Sequence, residues 1–208
     1  MEGQTIYKAA QIVSRTGGQI EQIFNRIDEF VAELVENSEV FKNSVTHNGG
    51  STDSSGWVNV SDIRGYGFIE TGKQKKETFQ LAFLVRIMDE DESLGVSNWQ
   101  PCLYMLAVMN DGYAAWGIDD FYLHSALGKG YRLGSDNKML VWDEEGERGA
   151  VFVVPLTSIS DEVVLKEQIV EPVFSMAEKL LDESLMEYEL ATNLAFKYEI
   201  VDSKLVIT

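Results

Sequence analysis

The chain has 208 residues, with 34 acidic against 17 basic and a formal net charge of -17. An apolar content of 45% is ordinary, so a core can form without staples, and the length suits one domain better than two small ones. The charge opposes binding to phosphate backbones and anionic lipid heads and favours basic partners, while the single cysteine, Cys102, excludes an intrachain disulfide and fits a reducing, cytoplasmic setting.

The N-terminal residues show no basic start followed by an apolar run, so no secretory signal is expected. No stretch approaches the roughly 18 apolar residues of a membrane span, and no membrane association is expected. Residues 5 to 13 read as a short helix or a strand, closed by Gly17-Gly18. Ile20, Ile23, Phe24, Ile27, Val31, Leu34 and Val35 then recur at three- and four-residue steps. That spacing predicts an amphipathic helix from about Gln19 to Glu36, with Glu21, Asp28, Glu29, Glu33 and Glu36 mostly on its wet side. Residues 43–56 are the most polar and least periodic and read as a flexible loop. His47 stands there without a sequence partner.

From Trp57 the pattern changes to strands, and residues 57–154 read as the sheet region. Trp57 to Val60 and Tyr66 to Thr71 are expected as strands separated by a turn at Asp62 to Gly65. Thr78 to Met88 follows, its alternation half apolar on the second face, as in a central strand covered on both sides. The acidic run Asp89, Glu90, Asp91 and Glu92 must be exposed. Trp99 to Met109 pairs with it, with Pro101 placing that end at an edge or bulge. Asn110-Asp111-Gly112 offers a tight turn into Tyr113 to Ile118. Tyr131 to Leu133 is a short piece between glycine-rich turns. Met139 to Trp142 and Ala150 to Val154 form a hairpin across an acidic tip.

Residues 158–190 read as helical. Thr157, Ser158 or Ser160 is the expected cap, ahead of Asp161 and Glu162 as first-turn acids, and Pro172 marks a kink or a second start. Phe196 to Val201 and Lys204 to Ile207 close the chain as a small hairpin. The expected fold class is α+β: one domain over residues 1–208, a mostly antiparallel sheet of about six to eight strands, and N- and C-terminal helices packed against it.

Three kinds of site compete. For an interaction surface, the aromatics Trp57, Trp99, Tyr113, Trp116 and Trp142 lie at strand starts or turns, near the acids Asp89 to Glu92 and Asp143, Glu144, Glu145 and Glu147. For an enzyme, His124 with Asp119 and Asp120 is the candidate acid–base cluster, and Cys102 is within reach of His124 if their strands are neighbours. The segment Arg64-Gly65-Tyr66-Gly67-Phe68-Ile69 resembles the aromatic strand motif of RNA-recognition and cold-shock domains, with Thr71 where an aromatic is expected. That resemblance covers eight residues. It implies that Arg64, Tyr66 and Phe68 face outward on an open sheet to stack bases.

No metal or cofactor is expected. His47, His124 and Cys102 are too far apart to write a zinc motif. Asp89, Asp91 and Ser93 alternate as in a calcium loop, but Gln100 occupies the position of its bidentate Glu. Phosphate-loop and dinucleotide fingerprints are absent. The favoured reading is a non-enzymatic, acidic interaction protein that docks on the basic surface of another protein. An inhibitor or immunity-type protein, its acids standing where phosphates would, fits that description.

Overall fold

A computed structural model describes residues 2–38, 41, 45–55, 58–68, 79–87, 100–110, 130–144, 147–182, 184–202 and 204–208. Among the described residues, helix α1 (Glu2–Asn37) leads into seven strands: β1 (Val45–Ser55), β2 (Val58–Phe68), β3 (Phe79–Arg86), β4 (Cys102–Asn110), β5 (Arg132–Leu133), β6 (Met139–Glu144) and β7 (Glu147–Pro155). They form one antiparallel sheet in the order β1-β2-β3-β4-β7-β6-β5. Helices α2 (Glu162–Leu165) and α3 (Glu171–Leu181) follow, joined by a wide turn at Lys166–Val170. A separate hairpin, β8 (Tyr198–Val201) and β9 (Lys204–Ile207), ends the described chain. The fold is therefore α+β with an antiparallel sheet, as composition and patterning predict.

Strand alternation builds two apolar layers. Phe79, Leu81, Phe83 and Val85 of β3, Leu103 and Met105 of β4, and Phe152 and Val154 of β7 pack with Phe24, Ile27 and Val31 of α1 and Val173 and Met176 of α3. Both helices thus cover the same sheet face. On the other face Leu84, Tyr104, Leu106, Leu140, Trp142, Val151 and Val153 pack with Tyr198, Phe196, Leu205 and Ile207. The C-terminal hairpin is moored there by Phe196 N donating to Val153 O at 3.0 Å and Tyr198 N to Asn137 O at 2.8 Å. Asp202 takes a positive φ of 50° in the hairpin turn, a conformation Asp tolerates better than most side chains. Coverage on both faces explains why β3 and β4 are apolar on alternate and intervening residues alike.

Four local expectations are corrected. First, α1 does not end at Gly17-Gly18; it runs unbroken from Glu2 to Asn37, 36 residues. Two glycines cost about 1 kcal/mol each against Ala, which weakens a helix without terminating it. Second, residues 43–56 are not a loop throughout, because 45–55 form β1, paired with β2 from Val45↔Phe68 to Ser55↔Val58. A ladder of backbone hydrogen bonds needs no apolar alternation, so a polar strand leaves little trace in sequence. The register slips between Asn48 and Ser51, where Gly49-Gly50 gives β1 one residue more than β2. Third, Asp62 to Gly65 is no turn: it pairs with β3 as Asp62↔Val85 through Gly65↔Ala82. Fourth, the cap of α2 is Asp161 and not Thr157, Ser158 or Ser160; its carboxylate accepts from Val164 N at 2.9 Å. Ser160 instead donates to the other carboxylate oxygen at 2.8 Å.

Pro172 lies within the second position of α3, just after the wide turn, where Glu171 N reaches back to Lys166 O across five residues. The widened turn spares the helix the donor that proline lacks. Thr5-to-Val13, Phe196-to-Val201 and the other terminal expectations resolve as helix and hairpin respectively, while Tyr113 to Ile118 lies outside the described residues.

Two tyrosines tie the layers to pH. The Tyr66 hydroxyl donates to Asp28 of α1, and burial together with that carboxylate pushes its ionisation far above the ordinary value of 10. Burial does the same to Tyr198, whose hydroxyl has no hydrogen-bond partner among the described residues. A raised folded-state value leaves stability intact below the unfolded value and removes it as pH rises beyond. Stability should thus fall above pH 10, the ordinary tyrosine value. Tyrosinate absorbance from these two should appear only together with loss of the folded circular-dichroism signal. Their ionisation at ordinary pH in an intact fold would contradict this arrangement.

Candidate interaction groove

The sheet positions α1 so that its outer flank meets the segment entering α2. Ile20, Phe24, Ile27, Val31 and Val35 are buried against the sheet, which leaves Gln19, Gln22, Arg26 and Glu29 on the flank, exposed. Facing them are Ile159, Ser160, Asp161, Glu162 and Leu165, and the space between is a groove of about 610 Å³. Its floor is apolar: Ile23 and Ile159 are half-buried and Leu165 is buried.

The rim is charged and unevenly so. Arg26 is the single cation among the lining residues, set against the acids Glu29, Asp161 and Glu162. Its guanidinium is already shared, Nη1 with Glu29 and Nη2 with Glu162 at 2.8 Å. These partners, the Glu29 hydrogen bond first and then the Glu162 charge, hold it further above its ordinary value. Asp161 is held below its ordinary value by the Val164 backbone donor, with help from the Ser160 hydroxyl, so it stays charged near neutrality. One cation and three carboxylates leave the groove with a surplus of two negative charges. Behind it, Lys166 Nζ clamps Glu33 at 2.9 Å and sits 5.6 Å from the Phe30 ring, which fixes the wide turn against α1.

The residues singled out from sequence fall elsewhere. Tyr66 and Phe68 are buried, at 3% and 2%, on the sheet face beneath the helices. Tyr66 meets Asp28, and the Arg64 guanidinium stands 5.4 Å from the centroid of the Phe24 ring with Nε 3.7 Å from Asp28. The open base-stacking face that the RNA-recognition resemblance implies is therefore covered, and that expectation is overturned. The alternation of β2 turns Tyr66 toward Asp28 of α1 and Phe68 toward Phe174 of α3.

Trp142 is not a surface anchor either. It is 5% exposed, its ring centroid lies 4.7 Å from that of Tyr131, and its Nε1 donates to Glu147 at 3.0 Å. Its position on β6 points it into the second apolar layer, and Glu147 is engaged in holding it. Asp143 is exposed at the end of that hairpin, and Glu144 pairs with Glu147 across it. Cys102 is 1% exposed and its thiol donates to Gln100 O at 3.1 Å, the packing of a small buried side chain. His124, Asp119, Asp120, Trp57, Trp99, Tyr113, Trp116, Glu145 and Asp89, Glu90, Asp91 and Glu92 lie outside the described residues.

Among the described residues no cluster of three His, Cys, Asp or Glu gathers as a metal site, and no helix is long and apolar enough to cross a membrane. No family model, curated protein or solved structure matches the chain. The groove itself was not legible from sequence. Its walls are about 135 residues apart, and only the acids at Asp161 and Glu162 and the wet-side Glu29 of α1 gave any signal.

Proposed function

We propose that this is a non-enzymatic interaction protein that docks on a basic surface of another protein, with the groove between α1 and α2 as its contact. The observation that carries this reading is the pairing of an apolar floor with a rim that has two carboxylates more than it has cations. A partner that brings an aliphatic side chain for the floor and Lys or Arg for the rim gains burial and charge neutralisation together. The net charge of -17 adds a long-range pull on such a partner and repels nucleic acid. An inhibitor that shields a phosphate-binding surface is one role that this chemistry suits.

The test is fluorescence anisotropy of the full chain with a labelled peptide that alternates Arg and Leu. Binding should weaken steeply between about 0.05 and 0.5 M salt, because exposed pairs are screened over a Debye length of a few ångströms at the higher concentration. The Glu29→Lys, Glu162→Lys double variant should bind at least about tenfold more weakly. Binding that is indifferent to both salt and these substitutions would remove the groove from the account.

A further inference from the structure

The first half of α1 presents a run of described side chains to solvent. Every side chain described from Gln4 to Gln19 is exposed except Thr16, which is half-buried. Tyr7 and Ile12 are 64% and 65% exposed, large apolar groups left in water. Among the described side chains of α1, Ile20 is the first that is buried. A helical segment with Gly17, Gly18 and the β-branched Thr5, Ile12 and Thr16 has low intrinsic helix stability in water. Such a segment gains most from a surface that covers it.

Its charge is opposite to that of the remainder. Residues 2–19 hold Lys8 and Arg15 against Glu2, a net +1, so the other residues together carry -18. Two copies of a chain this acidic repel unless contact is made where the balance reverses, and this half of α1 is such a place. At 3.6 residues per turn, Lys8, Ile12, Arg15 and Gln19 lie along one side of the helix, the side that continues as Gln22, Ile23 and Arg26 in the groove.

Resting on the reading of the groove as a dock for basic surfaces, we propose that its occupant is the N-terminal half of α1 from a second copy. The two long helices pair antiparallel about a twofold axis between Gly18 and Gln19. Lys8 of one copy then stands opposite Glu29 of the other, since 8 and 29 are equidistant from that axis. Arg15 stands opposite Gln22, and Ile12 is brought toward the Ile23 and Ile159 floor. The lengths agree: Lys8 to Gln19 spans about 16 Å and Gln19 to Glu29 about 15 Å at 1.5 Å per residue. A Cβ built on Gly17 or Gly18 would meet nothing within 4 Å, so the backbone is bare where the helices cross. The interface is isologous, each copy giving one arm and one groove.

The experiment is sedimentation of the full chain at low and high salt, with two variants alone and mixed. Wild type should sediment as a dimer at low salt and shift toward monomer as salt rises. The Lys8→Glu, Arg15→Glu variant and the Glu29→Lys, Glu162→Lys variant should each self-associate at least about tenfold more weakly, since both arm–groove contacts are then like-charged. An equimolar mixture should restore the dimer, because in the mixed pair both contacts are complementary again. A monomeric wild type, variants that dimerise as wild type does, or a mixture that stays monomeric would each overturn the proposal. Binding of the Arg/Leu peptide separates the two readings. If the chain is monomeric yet the peptide still needs Glu29 and Glu162, the groove stands and its occupant is a different protein. If peptide binding ignores those acids, the groove reading itself has failed.

Discussion

Gly149→Ala is expected to destabilise the fold by roughly 3 kcal/mol or to prevent folding, a large effect for one methyl group. Gly149 lies on β7, paired with Trp142 of β6 and Val108 of β4. A Cβ there would overlap the Trp142 ring and stand 2.7 Å from the Ala107 carbonyl oxygen. The ring cannot swing aside, because Tyr131 packs on it and Glu147 accepts from its indole nitrogen. The carbonyl belongs to the central strand β4 and is held by the sheet. Urea unfolding should show the midpoint displaced with an unchanged slope. A change within about 0.5 kcal/mol would mean that the strands can separate locally, contrary to the packing described.

Phe24→Ala is expected to cost about 3–5 kcal/mol, the usual loss for a buried aromatic truncated to a methyl group. Phe24 is 1% exposed, lies in the layer between α1 and the sheet, and has the Arg64 guanidinium over its ring. Its removal leaves a cavity at the point that holds the groove's outer wall in place. Ile12→Ala on the same helix is the control: at 65% exposure it should change the stability of the monomer by no more than about 0.5 kcal/mol. Similar costs for both would show that α1 is not docked through the face containing Phe24.

The comparison of sequence and structure divides along a physical line. β3, β4, the β6–β7 hairpin and the β8–β9 hairpin were legible because their apolar residues alternate and their turns carry Gly, Asp or Asn. The second half of α1 was legible from its three-and-four spacing. β1 was not, because an edge strand rich in Ser, Thr and Gly carries no apolar alternation to reveal its backbone ladder. The central part of β2 was misread because Asp62 and Gly65 look like turn residues, yet their ladder partners on β3 keep them extended. An aromatic near a turn reads as a surface anchor, but for Trp142 the strand parity, and not its nearness to a turn, decides the side it faces. The groove depends on Arg26 meeting Glu162, a contact fixed by the whole sheet between them.

Docking of basic surfaces between α1 and α2 is tested most directly by amide hydrogen exchange of the full chain, diluted until it is monomeric, with and without the Arg/Leu peptide. The expected result is slowed exchange confined to the α1 stretch around Gln19 to Glu29 and the Ile159 to Leu165 segment, lost at high salt. Protection centred on the β6–β7 hairpin or spread evenly over the acidic surface, with none at the groove, would contradict it.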